Sequence, residues 1–265
     1  MTSMTVEPFQ TRVEGLLLRG SHYLPAGDGP HPTAVLLHGF GGSRVETTGV
    51  FVALARALTD AGIGVVAYDR AGHGESDGDF FDTTATGDIR QAGIVLEAIA
   101  ELDLVDAENV HLVGMSMGAV IASAVAARAG RRVRSLTMWS TAALFVDEIR
   151  SGFIQGRSLE ALDTEGFFDF LGMRMGPAMR DDARTFDVYG SARGYGGPVL
   201  LLHGTDDFIP VSYAERYTAG DVFGDRAELV VVPGADHGWA QLPQRDTVIG
   251  RTRSFLVEHC GRGAA

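Results

Sequence analysis

Short apolar runs alternate along this chain with longer segments in which apolar residues recur every three to four positions. Runs rich in Val, Leu and Ile are typical of buried strands, and a period of 3.6 residues indicates amphipathic helices. The apolar runs predict strands over residues 33–39, 63–69, 109–115, 133–140, 198–204 and 227–234. The periodic segments predict helices over residues 50–62, 85–102, 118–130 and 245–260. Continuously apolar strands that alternate with helices predict an α/β fold with a mostly parallel, twisted sheet and helices on both faces.

Two segments depart from this alternation. Residues 14–25 read as an antiparallel hairpin that starts the sheet. Residues 141–196 are rich in Phe, Met and Gly and contain no strong strand pattern. A structureless stretch of that length is unusual, so we expect short helices or hairpins that form a lid over the sheet. The predicted division is therefore a core made of residues 1–140 and 197–265 and a lid, or cap, over residues 141–196.

Composition and charge narrow the possible partners. The 265 residues carry a net charge of −12, which repels nucleic acid and anionic membrane surfaces, so we expect neither as a partner. The single cysteine excludes an intrachain disulfide and a cysteine-based zinc site. The chain has no signal-peptide pattern and no apolar run near the ~18 residues of a membrane span, which predicts a cytoplasmic protein. We expect no cofactor and no metal, and a homodimer is left open.

A glycine-flanked serine stands where a predicted strand gives way to a helix. The stretch "GMSMG" places Ser116 between Gly114 and Gly118. Small residues at these two positions permit a sharp strand-to-helix turn that exposes the serine hydroxyl and sets the next backbone N–H at a helix start. A packing turn that merely contains a serine is the alternative reading of this motif alone.

Acidic and basic side chains follow two later strands. Asp206 and Asp207 end the strand in "PVLLLHGTDDFIP", and Asp236 and His237 follow the strand in "AELVVVPGADHGW". Functional groups of an open parallel sheet gather at the carboxyl ends of its strands. A serine nucleophile needs an adjacent base that a carboxylate orients. The order Ser, Asp, His along the chain is the order expected of an α/β-hydrolase.

The chain resembles the α/β-hydrolase superfamily of serine hydrolases along nearly its full length, and most closely the bacterial feruloyl and cinnamoyl esterases. The motifs that carry the resemblance are "HGFGG" (38–42), "YDRAGHGESDG" (68–78), "GMSMG" (114–118), "HGTDDFIP" (203–210) and "GADHGW" (234–239). The resemblance implies Ser116 as nucleophile, His237 as general base and Asp207 as the acid that orients it. Asp206 remains the alternative acid.

The same resemblance implies an oxyanion hole built from two backbone N–H groups, those of Phe40 and Met117. Donors of this kind stabilise the negative charge that develops on the acyl oxygen. The other histidines have structural interpretations. His38 and His73 are expected to order their loops, and His203 is expected to be a satisfied core histidine. The remaining ones show no metal-site spacing: His22, His31, His111 and His259.

Aromatic and thioether side chains of the lid are candidates for an apolar acyl pocket, because ligand pockets are mostly apolar with a few polar groups. The predicted substrate-binding residues are Phe145, Phe153, Phe168, Met173 and Tyr189. Tyr195 is a further candidate hydroxyl donor. For most lid residues, simple docking of the lid on the core is the competing interpretation.

Taken together, these features predict a cofactor-independent serine hydrolase that cleaves carboxylic esters through an acyl-enzyme. Feruloyl- or cinnamoyl-type esters, or other aryl and acyl esters, are the first expectation for this small-molecule substrate. The alternative is a thioesterase, or a biosynthetic tailoring acyl hydrolase or transferase, that uses the same triad. More distant alternatives are a non-hydrolytic member of the superfamily and a binding protein with a decayed triad.

Overall fold

The structure, a computed structural model, describes residues 4–261, and a large mixed sheet dominates it. Its strands are β1 (Thr5–Val13), β2 (Leu16–Leu24), β3 (His31–Leu37), β4 (Gly64–Tyr68), β5 (Val105–Met115), β6 (Ser135–Trp139), β7 (Phe153–Ile154), β8 (Arg157–Ser158), β9 (Phe168–Phe170), β10 (Met173–Met175), β11 (Val199–Gly204) and β12 (Ala227–Val232). Its α-helices are α1 (Val50–Thr59), α2 (Ala85–Ala100), α3 (Met117–Ala129), α4 (Leu144–Arg150), α5 (Ala161–Thr164), α6 (Pro177–Thr185), α7 (Ser212–Glu215) and α8 (Leu242–His259).

The main sheet has the strand order β1-β2-β4-β3-β5-β6-β11-β12. Every neighbouring pair from β4 to β12 runs parallel, whereas β1 and β2 run antiparallel to each other and β2 to β4. Because parallel strands end at the same edge, the loops after β3, β5, β11 and β12 meet at one end of the sheet. The candidate catalytic residues lie at this edge. The observed sheet and helices confirm the predicted α/β fold.

The opening hairpin is longer than the sequence pattern suggested. Its two strands are β1 and β2, joined by a tight turn at Glu14 and Gly15, both with positive φ. The predicted hairpin over residues 14–25 covers only the turn and the second strand. The pattern missed β1 because much of it is exposed, with only Phe9 and Val13 buried, so it lacks a continuous apolar run.

Two apolar layers cover the two faces of the sheet. Alternate residues of one strand point to opposite faces, so Leu36 of β3 packs with α1 and α8, and Val35 and Leu37 pack with α2 and α3. On one face α1 contacts α8, and on the other face α2 contacts α3. This double coverage explains why the central strands are apolar at nearly every position.

The chain between β6 and β11 forms a cap of short elements, and we use "the cap" for residues 141–196. It contains α4, the hairpin β7–β8, α5, the hairpin β9–β10 and α6. Its buried side chains, among them Phe145, Phe170 and Met179, belong to the same apolar cluster as α2 and α3. The cap therefore shares a core with one face of the sheet. The division of the chain into core and lid stays a prediction.

Within the described residues 4–261, no helix combines the length and apolar character that crossing a bilayer requires.

Candidate active site

The glycines around Ser116 are needed for close approach of the backbone. Ser116 lies between β5 and α3 with φ of +56°, a conformation that L residues rarely adopt. A Cβ on Gly118 would lie 1.9 Å from the Leu37 carbonyl oxygen, and one on Gly114 would lie 2.3 Å from the Gly118 carbonyl oxygen. Neither position has room for a side chain, so the strand-to-helix turn holds Ser116 in one place.

Three side chains from separate loops form a hydrogen-bonded chain. His237 Nε2 lies 3.0 Å from Ser116 Oγ, and His237 Nδ1 lies 2.9 Å from Oδ1 and 3.0 Å from Oδ2 of Asp207. An ionised carboxylate only accepts hydrogen bonds, so a neutral imidazole must donate from Nδ1 and accept from the serine hydroxyl at Nε2. This arrangement can remove the proton of Ser116 as its oxygen attacks.

The two candidate aspartates have different surroundings. The Asp207 side chain is fully buried and also accepts a hydrogen bond of 2.9 Å from the Ile209 N–H. Burial acts to raise the pKa of Asp207, but the hydrogen bonds from His237 and Ile209 outweigh it and hold the pKa below its ordinary value. The exposed Asp206 accepts from the Thr205 hydroxyl instead. The structure thus brings Asp207, and not Asp206, to the histidine.

Asp236, the neighbour of His237 in sequence, has a local role. Its carboxylate accepts a hydrogen bond of 2.9 Å from the Ala240 N–H. The Trp239 N–H donates to its backbone carbonyl at 3.3 Å. These bonds shape the turn that presents His237.

The loop after β3 holds one of the two predicted oxyanion donors. Phe40 and Met117 both line the cavity that contains Ser116. Met117 is the first residue of α3, where the helix dipole favours negative charge. Among the described residues, neither N–H has a hydrogen-bond partner, which leaves both able to bind a ligand oxygen.

Three histidines near this edge are buried, and each makes at least one hydrogen bond. His38 and His73 order their loops as expected, whereas His203 is only partly satisfied, because its Nδ1 has no hydrogen-bond partner among the described residues. His38 contacts the Gly39 carbonyl and the Arg70 N–H, and His203 contacts the Ile209 carbonyl at 2.8 Å. His73 contacts the Ala71 carbonyl and accepts from the Gly41 N–H. Burial lowers the pKa of His38 well below its ordinary value and that of His73 to about 3. Both histidines are therefore neutral supports of the loop.

A cleft of about 260 Å³ opens at Ser116 and His237. Most of its lining is apolar and comes from both the core and the cap. The apolar side chains that line it are Phe40, Met115, Met117, Ala142, Leu144, Phe145, Ile154, Phe170, Leu171, Phe208 and Ile209. Such a lining suits an apolar acyl or aryl group held beside the serine.

Of the five predicted substrate-binding residues, only Phe145 lines this cleft. Phe153 lies on the surface with 46% of its area exposed, and Phe168 is buried beneath the Arg157 guanidinium. Met173 packs where a Cβ on Gly41 would be, behind the loop after β3. These positions correct the prediction for all three. Strand alternation turns Phe153 away from the side of its neighbour Ile154, whereas Phe168 and Met173 share a face with the cleft-lining Phe170 and are kept from the cleft by how the hairpin β9–β10 packs.

The two tyrosines also lie elsewhere. The Tyr189 hydroxyl donates to the Tyr213 carbonyl at 3.2 Å, and its ring packs on Tyr217. Tyr195 is buried and donates to the Val133 carbonyl at 3.2 Å, just before β6 begins and thus at the opposite edge of the sheet. Neither tyrosine can donate to a ligand at Ser116, which corrects that prediction.

A carboxylate that sequence reasoning missed lies next to the nucleophile. Glu46 accepts hydrogen bonds from the N–H groups of Gly39 and Thr47 and lines the cleft. Its burial raises its pKa, although the nearby charges of His237 and Arg70 oppose this. No motif marked Glu46, because it lies in the irregular loop between β3 and α1, where its φ is 57°.

Other cleft residues were missed for a different reason. Phe208 follows Asp207 directly, and its ring centroid lies 4.4 Å from that of His237. Its position next to the predicted acid in the sequence could have identified it as a residue of the cleft. Glu148 and Gln155 of the cap also line the cleft, and nothing in their sequence surroundings distinguishes them.

The described residues contain no group of three or more His, Cys, Asp or Glu side chains placed to hold a metal ion. The chemistry that the cleft itself offers is a serine, a base, an orienting carboxylate and two backbone donors.

Comparison with known proteins places this site in a wider context. The chain is 28% identical to the dihydrolipoyllysine-residue acetyltransferase component of the acetoin cleaving system of Pseudomonas putida, over 95% of this chain and 70% of that protein. It is 29% identical to the non-heme chloroperoxidase CPO-A1 of Kitasatospora aureofaciens, over 71% of this chain and 80% of that one.

Solved structures give the same picture. Est1E from Butyrivibrio proteoclasticus, with ferulic acid bound, superposes with a TM-score of 0.85 at 24% identity and covers 95% of this chain and 98% of its own. At that identity the likeness shows the fold. The family model described as the alpha/beta hydrolase family matches residues 34–251, which is most of the chain. The chain therefore belongs to the alpha/beta hydrolase family.

Proposed function

We propose that this protein is a serine hydrolase that cleaves carboxylic esters through an acyl-enzyme formed on Ser116. The observation that carries the proposal is the hydrogen-bonded chain from Ser116 through His237 to the buried Asp207, at the floor of an apolar cleft. Family membership supports a hydrolase, and the cleft supports an ester with an apolar acyl group.

In the first half-reaction Ser116 Oγ bonds to the acyl carbon while its proton passes to His237 Nε2. The N–H groups of Phe40 and Met117 receive the negative oxygen, and Asp207 stabilises the imidazolium. His237 then gives the proton to the leaving alkoxide, and the bond between acyl carbon and ester oxygen breaks. A water molecule repeats the sequence on the acyl-enzyme, which releases the acid and restores the serine.

The charge of the cleft favours uncharged esters. Among the described residues that line the cleft, Glu46 and Glu148 are ionisable besides His237, and none is an arginine. A phosphate-bearing thioester would be repelled there, whereas an ester of a hydroxycinnamic acid is neutral. The likeness to the ferulic acid-bound Est1E supports the feruloyl- or cinnamoyl-type ester as the first substrate class to test.

The alternative keeps the triad and changes the acyl donor to a thioester, as in a tailoring acyl hydrolase or transferase. The acetyltransferase named among the relatives favours this alternative, and the two glutamates in the otherwise apolar lining of the cleft oppose it.

The direct test is covalent labelling with a fluorophosphonate, combined with turnover of methyl ferulate and of an acyl-phosphopantetheine thioester. We expect labelling of wild type and none of Ser116→Ala. We also expect Ser116→Ala and His237→Ala each to lose at least about 10⁴-fold in kcat, with the double variant hardly worse, because a triad acts as a unit. Ester turnover by a folded Ser116→Ala protein would refute the acyl-enzyme mechanism. A higher kcat/KM for the thioester would select the alternative.

A further inference from the structure

Three donors bind the carbonyl oxygen of the peptide that joins Gly39 and Phe40. Its carbonyl oxygen lies 2.9 Å from an Arg70 guanidinium nitrogen, 2.8 Å from His38 Nδ1 and 3.2 Å from the Gly42 nitrogen. In a trans peptide the C=O and the following N–H point in opposite directions. A carbonyl held inside the protein therefore turns the N–H of Phe40 outward, toward the cleft that Phe40 lines.

His38 is fixed as a donor to this carbonyl. The Arg70 backbone N–H donates to His38 Nε2 at 3.0 Å, so Nε2 is the acceptor and the ring proton is on Nδ1. The histidine is fully buried, which keeps it neutral. The main chain of Arg70 thus sets the tautomer of His38, while its side chain reaches the same carbonyl directly.

The Arg70 side chain is itself held in place by Asp88 of α2. The two side chains form an ion pair and are only 2% and 3% exposed. Burying such a pair is unfavourable compared with apolar side chains of similar volume. The Gly39 carbonyl has two lone pairs, which His38 and Gly42 could already satisfy. The buried cation is therefore not required for the loop to be hydrogen-bonded.

We propose that Arg70 is a positioning residue for the oxyanion hole, acting through the Gly39–Phe40 peptide. A cation that donates to the carbonyl of a peptide polarises it and makes the N–H of the same peptide a stronger donor. It also fixes the direction of that N–H before the substrate arrives. The inference rests on the proposed function, since the Phe40 N–H matters only if an acyl oxygen binds there.

The test uses variants that separate this role from a structural one. Arg70→Met alone would leave Asp88 buried without a partner, so the main variant combines Arg70→Met with Asp88→Asn. Arg70→Lys keeps the charge but has a single ammonium group. The matched control is Arg44→Met, which breaks another arginine–aspartate pair at this edge, that of Arg44 with Asp69, without touching the Gly39 carbonyl.

Two measurements report on the oxyanion hole. One is the split between kcat and KM for an aryl ester. The other is the pKa of the hemiketal oxyanion that Ser116 forms with a trifluoromethyl ketone, followed by ¹³C NMR. Loss of an oxyanion donor costs about 10²–10³ in kcat, and weakening one should cost less, about 10- to 100-fold.

We expect that fall in kcat for the double variant, with KM changed by less than about threefold because ground-state binding is retained. The hemiketal pKa should rise by about one unit, corresponding to a tenfold weaker stabilisation of the oxyanion. The kcat and the hemiketal pKa of Arg70→Lys should lie between those of wild type and of the double variant. If the double variant does not fold, Arg70→Lys alone tests the proposal. Arg44→Met should lower thermal stability and leave the hemiketal pKa unchanged.

An unchanged hemiketal pKa in both Arg70 variants would overturn the inference, whatever happens to stability. An equal rise in Arg44→Met would also overturn it, because general loosening of the edge would then explain the effect. A wild-type protein that forms no hemiketal and is not labelled by a fluorophosphonate would refute the proposed function instead, so the two failures are distinguishable.

Discussion

The loops at the carboxyl edge of the sheet and the cap both use many glycines, but for different purposes. Next to these loops, a Cβ at Gly114 of β5, Gly118 of α3 or Gly204 of β11 would collide with backbone atoms at distances between 1.9 and 2.3 Å. In the cap, Gly152, Gly156 and others have positive φ, and a Cβ added at either of these two would meet nothing within 4 Å. At these hairpin turns glycine serves the turn and leaves open space, whereas Gly176 of the cap is tightly packed, because a Cβ there would lie 2.3 Å from the Phe81 carbonyl oxygen.

This difference separates two tasks. The edge loops are locked by close backbone contacts, and they hold Ser116, His237 and Asp207 at hydrogen-bond distance. The cap is a series of short hairpins and helices that contributes side chains such as Phe145 and Ile154 to the cleft. We therefore expect the edge to determine whether the reaction occurs and the cap to determine which acyl group is accepted.

The sharpest comparison within the edge loops concerns the two adjacent aspartates. Asp207→Asn should lower kcat by about 10⁴-fold, because an amide at this place permits the wrong tautomer of His237. Asp206→Asn should change kcat by less than about threefold, since surface substitutions away from special features have small effects. Steady-state kinetics on one ester decides the matter. Similar losses at both positions would contradict the assignment of the acid.

A second comparison concerns acid lability, which should reside in the core because the cap contains no histidine. Burial lowers the pKa of His38, His73 and His111 in the folded state, those of the latter two to about 3. Below the ordinary value of 6.5 the unfolded chain binds these protons and the folded protein does not. The stabilisation is therefore complete above that pH and is lost as the pH falls toward the folded-state values.

Between about pH 7.5 and 5.5 the free energy of unfolding should fall by roughly 1 kcal/mol for each such histidine. Denaturant unfolding at the two pH values measures the change. His111→Asn should remove one histidine's share of it. A free energy of unfolding that is independent of pH in this range would refute the buried neutral histidines.

A third comparison places one methyl group in each region. Gly118→Ala should destabilise the protein by at least about 3 kcal/mol or prevent folding, because backbone atoms on both sides cannot move apart. Gly196→Ala in the cap, where nothing lies within 4 Å, should stay within about 0.5 kcal/mol. Thermal and denaturant unfolding of the pair provides the measurement. Comparable destabilisation would mean that the two regions do not differ in this respect.

The smallest expected effect is on selectivity. Phe145→Leu removes an aromatic ring from the cleft and should reduce the kcat/KM ratio of a hydroxycinnamate ester to an acetate ester by about tenfold. The matched control is Phe186→Leu, whose ring packs against Phe145 at 6.2 Å but does not line the cleft. Phe186→Leu should lower the free energy of unfolding by a similar amount and leave the kcat/KM ratio of the two esters unchanged. An unchanged ratio in Phe145→Leu would show that the cap acts only as a cover, and a ratio that falls equally in both variants would attribute the change to general loosening of the cap.

The sequence by itself determined the parallel sheet, the order of its main elements and the turn at Ser116. These features depend on patterns within a few residues, such as continuous apolar strands and glycines spaced around a serine, and local sterics restrict what such patterns can form. The resemblance to a known family then selected Asp207 over Asp206. The hairpin β1–β2 was placed only in part, because an exposed edge strand has no apolar run to reveal it.

Only the tertiary structure decided which residues surround a ligand. Glu46 comes from the loop after β3, and Ile154 and Phe170 come from two hairpins of the cap, so their meeting at Ser116 depends on how the cap packs on the sheet. Phe168 and Phe170 show the limit most clearly. They are alike in sequence and two residues apart, yet only Phe170 lines the cleft, while Phe168 is buried beneath Arg157. The two rings lie on the same face of β9, so side-chain alternation does not distinguish them. Which of them reaches the cleft depends on how the hairpin packs on the rest of the protein, and that is set by long-range contacts.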